Sequence, residues 1–107
     1  MHLDLKPENI LYRGNGYYKL CDFGCAHLND IRSNVPLPDF HKNFGTSAYV
    51  APEVKISHHC LLKNGQDIWS FGIILYEMLY RRHPFNLVNG EISKAEFESF
   101  CQGKTEI

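Results

Sequence analysis

Apolar and polar positions fall into short runs at the start of the chain and change period near its middle. Ile10-Leu11-Tyr12 and Tyr17-Tyr18-Lys19-Leu20-Cys21 are β-type runs. Between them, Arg13-Gly14-Asn15-Gly16 supplies residues that tolerate positive φ, so the pair predicts a β-hairpin. The segment Leu3 to Glu8 is polar, contains Pro7 and reads as a loop. From Asp22 to Val50 the periodicity is lost. Pro36, Pro38 and Gly45, with scattered Ser, Asn and Asp, predict a long loop there. Pro52-Glu53-Val54-Lys55 predicts one short helical turn with Pro at an early position.

The strongest predicted element is a helix from Gln66 to Tyr80. Ile68, Trp69, Phe71, Ile73, Ile74, Leu75, Met78 and Leu79 cover most of its circumference. A helix apolar nearly all round is a buried one, so Trp69, Met78 and its aromatic residues read as core. Arg81 and Arg82 suit its C-terminal dipole, and His83-Pro84 ends it. Ser93-Lys94-Ala95-Glu96 has the spacing of a capping box and opens a second helix, with Ala95, Phe97, Phe100 and Cys101 on its apolar face. A helix buried on every side needs more neighbours than one hairpin, one loop and one further helix. The pattern therefore predicts an incomplete domain, with further elements expected before residue 1 or after residue 107.

Composition narrows the function classes. Hydrophobic residues make up 44% and charged residues 21% of the 107, the balance of a globular domain. Eleven Lys+Arg against 12 Asp+Glu leave a formal charge of −1. That excludes a nucleic-acid binder relying on a large positive field, and a polybasic membrane-surface protein. The longest apolar stretch, Phe71 to Tyr76, is far below the roughly 20 residues of a membrane helix. Asp4, Lys6 and Glu8 argue against a signal peptide. The 4 Cys form no C-x-x-C pair and read as reduced thiols, which suits a cytoplasmic or nuclear setting. His58-His59-Cys60 lacks a second ligand cluster and reads as a solvated loop rather than a zinc site.

Three clusters carry chemistry. His2-Leu3-Asp4-Leu5-Lys6-Pro7-Glu8-Asn9 puts carboxylates, an ammonium and an amide on one loop. Asp22-Phe23-Gly24 follows the second predicted strand, and the hairpin brings Asp22 back towards Asn9. A carboxylate and an amide oxygen beside a loop lysine make a plausible Mg²⁺ and phosphate site. The third cluster is Gly45-Thr46-Ser47-Ala48-Tyr49-Val50-Ala51-Pro52-Glu53.

In this order and spacing, the clusters resemble the C-terminal lobe of a eukaryotic protein kinase. The first is similar to the catalytic loop H-R-D-L-x-x-x-N with Leu3 in place of Arg. Asp22-Phe23-Gly24 matches the D-F-G motif, and Ala51-Pro52-Glu53 the A-P-E motif. Asp67-Ile68-Trp69-Ser70-Phe71-Gly72 resembles the start of the lobe's central helix. Leu5-Lys6-Pro7-Glu8-Asn9 and Gly45-Thr46-Ser47-Ala48-Tyr49 resemble the serine/threonine class. The implied fold is α+β, here mainly an α C-terminal lobe with a short hairpin and a long activation loop, over residues 1–107.

The resemblance implies roles. Asp4 would orient the substrate hydroxyl and take its proton, and Lys6 would contact the γ-phosphate of ATP. Asn9 and Asp22 would hold Mg²⁺. His2, Phe23, Gly24, Thr46, Glu53 and Asp67 would be supporting residues: His2 and Phe23 stacked, Thr46 bracing Asp4 and Lys6, Asp67 holding the catalytic-loop backbone. Glu8 and Glu77 fall where basic-directed kinases carry an acidic pair for a substrate arginine. Implied partners are protein substrates with Ser or Thr, with neither nucleic acid nor membrane. The Gly-rich loop and strand lysine of an N-terminal lobe, needed to clamp ATP, have no match in the chain. This isolated chain is therefore expected to be inactive. The alternative is a non-catalytic kinase-like interaction module. Leu3 cannot neutralise a phosphate on the activation segment, so control by phosphorylation of Ser33, Thr46 or Ser47 is expected to be weak.

Overall fold

The structure is a computed structural model, and it describes residues 1–26, 47–56 and 65–104. Thr46, Ser33 and the His58-His59-Cys60 run lie outside the described residues.

A 3-10 turn, Pro7–Asn9, leads into strand β1 (Ile10–Gly14), which pairs antiparallel with β2 (Tyr17–Leu20), and a second 3-10 turn spans Ser47–Tyr49, inside the stretch the sequence reads as loop. Ile10 faces Leu20, Gly14 faces Tyr17, and the ladder bulges between Tyr12 and Gly14. Asn15 and Gly16, at φ 52° and 77°, form the two-residue connection, and only residues tolerant of the left-handed region fit there. Below the last ladder pair, Cys21 N–H donates to Asn9 O at 2.9 Å, so the two strand ends stay joined.

Helix α1 (Pro52–Ile56) begins on proline, whose missing N–H costs nothing in a first turn. Val50, Ala51 and Val54 form a small buried cluster against Trp69. Helix α2 (Gly65–Tyr80) buries Gln66, Ser70, Ile73 and Ile74, which share one face at helical spacing. Its other faces correct the expectation of all-round burial. Ile68, Phe71, Leu75, Met78 and Leu79 are exposed, Met78 by 72%. The described elements that pack on α2 cover the side that carries Gln66, Asp67, Trp69, Ser70, Ile73 and Ile74, which leaves the remaining circumference uncovered by them. Arg81, at φ 56°, closes the helix by donating its N–H to Glu77 O at 2.8 Å. The Arg82 guanidinium folds back onto the helix, 3.1 Å from Tyr76 Oη and over the Tyr76 ring.

A second hairpin, β3 (Leu87–Val88) and β4 (Glu91–Ile92), precedes helix α3 (Lys94–Cys101). Its turn is Asn89-Gly90, at φ 53° and 75°. Asn-Gly is the strongest local hairpin signal, but the strands flanking it are only two residues long. At the start of α3, Ser93 Oγ accepts from Glu96 N–H at 3.1 Å. Glu96 does not complete the reciprocal box: its Oε1 accepts from Asn86 N–H at 3.1 Å and ties the helix to the preceding loop. The apolar face of α3 is narrower than the sequence suggests, with Ala95 and Cys101 exposed and Phe97 at 0% exposure. Phe97 packs with Ile73, Phe85 and Ile92, and Trp69, Tyr49 and Phe100 lean on this cluster. Trp69 stacks on Phe85 at 5.9 Å, and Phe100 meets Phe85 edge-on at 5.4 Å. This core fixes the side of α2 from which the functional loops are held.

Candidate active site

Asp67, in the first turn of α2, reaches back across the chain. Its Oδ2 accepts from His2 N–H at 2.8 Å and its Oδ1 from Leu3 N–H at 2.9 Å. A carboxylate holding two successive amides fixes that peptide plane. Leu3 is buried with φ 66°, a conformation unfavourable for a residue with a Cβ, so these bonds hold a strained backbone in place.

His2 is anchored on both sides of its ring. Nε2 donates to Cys21 O at 2.9 Å, and Nδ1 accepts from Asp4 N–H at 3.2 Å. Its edge meets the Phe23 ring at 5.1 Å. The imidazole thus connects the loop before β1 to the segment after β2. Free thiols Cys21 and Cys25 flank Asp22-Phe23-Gly24, and Cys101 is also free.

Asp4, Lys6 and Asn9 converge. Asn9 is buried, and its Nδ2 donates to Asp4 O at 2.9 Å and to Asp4 Oδ2 at 3.4 Å. Lys6 Nζ lies 3.9 Å from Asp4 Oδ2. Because the amide nitrogen of Asn9 is committed to Asp4, its carbonyl oxygen is the donor atom it can offer a ligand. Asp22 is exposed at φ 58°, just past the Cys21–Asn9 bond, and its Oδ1 accepts from Gly24 N–H at 3.3 Å. The hairpin therefore delivers Asn9 and Asp22 to the same end of the ladder.

Glu8 and Glu77 come from different elements and act on the same phenol. Tyr49 is raised above the ordinary tyrosine value, first by burial, then by its hydrogen bond to Glu77 and the Glu77 charge, then by the Glu8 charge. Glu77 Oε1 is buried and has no hydrogen-bond partner among the described residues. Glu77 also lines a cavity of about 270 Å³ with Pro7, Ile10, Ile74 and Met78. Glu53 is exposed on α1 and stands apart from this group, beside Trp69 and Phe100 at a cavity of about 560 Å³.

Two residues not singled out for a role in the sequence position this region. Ser70 Oγ–H donates to Tyr49 O at 2.7 Å, and His83 Nε2 lies 2.7 Å from Ala48 O. Ser70 follows Gln66 by one helical turn on the buried face, which was the available signal for it.

The whole chain but its last residue, residues 1–106, matches the family described as protein kinase domain. The chain belongs to the protein kinase family, a family of transferase enzymes. It is 36% identical over 93 residues to human Serine/threonine-protein kinase 16, covering 81% of this chain and 30% of that protein. It is 44% identical over 100 residues to CBL-interacting serine/threonine-protein kinase 15 of Arabidopsis thaliana, covering 89% of this chain and 23% of that protein. With CBL-interacting serine/threonine-protein kinase 20 of the same plant, identity is 41% over 107 residues, covering 91% and 23%. The chain thus spans less than a third of the length of these relatives.

Proposed function

We propose that this chain is the C-terminal-lobe part of a serine/threonine protein kinase that uses ATP and Mg²⁺ to phosphorylate protein hydroxyls. The observation that carries the reading is the Asp4–Lys6–Asn9 convergence on a loop whose backbone Asp67 holds.

Asp4 orients the substrate hydroxyl and takes its proton as the hydroxyl oxygen attacks the γ-phosphorus. The bond from that phosphorus to the β–γ bridging oxygen breaks, and ADP leaves. Lys6 lies 3.9 Å from Asp4, close enough to balance its charge, and would contact the γ-phosphoryl oxygens. Asn9 and Asp22 offer oxygen donors only, the set a hard divalent cation prefers. Mg²⁺, when bound, neutralises charge on the ATP phosphates. His2 and Asp67 act through positioning: they fix where Asp4 points.

The unpartnered Glu77 oxygen, with Glu8 nearby in charge, supports recognition of a basic substrate side chain upstream of the target hydroxyl. Buried Leu3 supports weak control by activation-segment phosphate, since no cation occupies that position. Residues 1–107 alone are expected to show no turnover, because ATP positioning in this family needs a second lobe.

The test is phosphate transfer to matched Ser, Thr and Tyr peptides by the full-length protein carrying this chain. Transfer to Ser and Thr, lost by at least about 100-fold in Asp4→Asn, is expected. An Asp4→Asn variant as active as the parent would remove the reading. A peptide array without preference for upstream Arg would remove the Glu8–Glu77 part alone.

A further inference from the structure

We propose that His83 is a positioning residue for the Ser47–Tyr49 turn and, through it, for the acidic pocket at Glu77. The proposal rests on the reading of that pocket given above. His83 is half-buried in the loop that follows α2. Its Nε2 lies 2.7 Å from Ala48 O, which can only accept, so Nε2 carries a proton and donates it. Its Nδ1 lies 3.1 Å from Phe85 N–H and accepts from it. The same nitrogen is 3.1 Å from Phe85 O. The imidazole therefore bridges two segments 35 residues apart in the chain.

The next carbonyl, Tyr49 O, takes the Ser70 hydroxyl at 2.7 Å. Two successive carbonyls of one turn are thus held, one from α2 and one from the loop that follows it. The Tyr49 ring meets His83 edge-on at 6.0 Å, and its phenol lies within the influence of the Glu77 carboxylate. The two backbone anchors hold Tyr49 beside Glu77, whose buried Oε1 has no hydrogen-bond partner among the described residues. Without His83, the buried Ala48 carbonyl loses its donor and the turn pivots on Ser70 alone. Tyr49 then leaves Glu77, and the pocket that would take a guanidinium loses its shape. Asp4 and Asn9 keep anchors of their own in His2 and Asp67, so the larger loss falls on binding of the Arg side chain.

The bridge to Ala48 O needs an N–H donor at the reach of Nε2. Phe keeps the ring contacts and removes both hydrogen bonds, whereas Gln carries an amide N–H at the reach of Nε2 and keeps the bond to Ala48 O. The experiment measures KM and kcat of the full-length protein for a Ser peptide with upstream Arg and the same peptide with Ala there. His83→Phe should raise KM for the Arg peptide about tenfold, leaving kcat and the Ala-peptide KM within about twofold. His83→Gln should recover most of the loss. Should His83→Phe not fold, His83→Ala is expected to show the same KM rise, reversed by added imidazole. Equal rises for both peptides, or a parallel fall in kcat, would overturn the proposal. Arg selectivity that Glu77→Gln abolishes but His83 variants leave intact would sink His83 alone. A parent without Arg selectivity, unchanged by Glu77→Gln, would sink the pocket itself.

Discussion

Removing the Asp67 carboxylate should release the backbone at the start of the candidate catalytic loop. Asp67→Ala deletes two charge-assisted hydrogen bonds, at 2.8 and 2.9 Å, to the amides of His2 and Leu3. Such bonds contribute about 1.5–3 kcal/mol each. Asp67 is only half-buried, so the lower figure applies, and the pair contributes about 3 kcal/mol. Part of that offsets the left-handed conformation of Leu3, which costs on the order of 1–2 kcal/mol. Once released, Leu3 has reason to relax to negative φ and carry Asp4 with it. Asp67→Asn keeps one acceptor and sets an amide N–H against the other donor, so it should cost about half as much. Amide hydrogen exchange reads the effect directly. The Leu3 amide should exchange about 100-fold faster in Asp67→Ala and about 10-fold faster in Asp67→Asn, with Phe97 little changed. Unaltered Leu3 protection in Asp67→Ala would refute the reasoning, because the bonds would then hold nothing.

Alkaline titration should distinguish Tyr49 from the exposed tyrosines. The folded protein holds the Tyr49 proton more tightly than the unfolded chain, so its contribution is full below the ordinary value of about 10 and is lost as pH rises beyond it. Phenolate absorbance should show one late-ionising group that moves earlier in Glu77→Gln; an unchanged titration would refute the contact. Phe97→Ala should cost about 3–5 kcal/mol in urea unfolding, since the ring is fully buried among Ile73, Phe85 and Ile92. Residues 1–107 expressed alone should bind a hydrophobic dye and self-associate through Phe71, Leu75, Met78 and Leu79, and Lys or Glu at those positions should reduce both. A dye-silent monomer with a sharp thermal transition would contradict that.

The parts of the fold that local chemistry decides were legible in the residues. The Arg13-to-Gly16 turn, the helix from about Gln66 to Tyr80 and the Ser93 cap all follow from short-range rules. What was not legible depends on distant partners. Apolar residues all round α2 signal burial, but only contacts with Trp69, Ser70 and Ile73 reveal which face is used. Glu96 had the spacing for a reciprocal cap, yet the Asn86 amide competed for its carboxylate and won. The β3–β4 hairpin hid because its strands are too short to show alternation. Motif order located the Asp4, Asn9 and Asp22 cluster, while the anchoring of Ala48 by His83 joins residues that no local pattern links.

The Asp67 bridge also sets a clock for synthesis. Its partner His2 lies 65 residues upstream. A ribosome adding about 5–20 residues per second makes the loop roughly 3–13 s before it makes the carboxylate that holds it. During that interval Leu3 has no reason to stay left-handed, and the nascent loop carries its acidic, basic and amide groups unarranged. Rigidity of the site is therefore a late event in the birth of the chain, and it arrives only when the start of α2 has been synthesised and has docked.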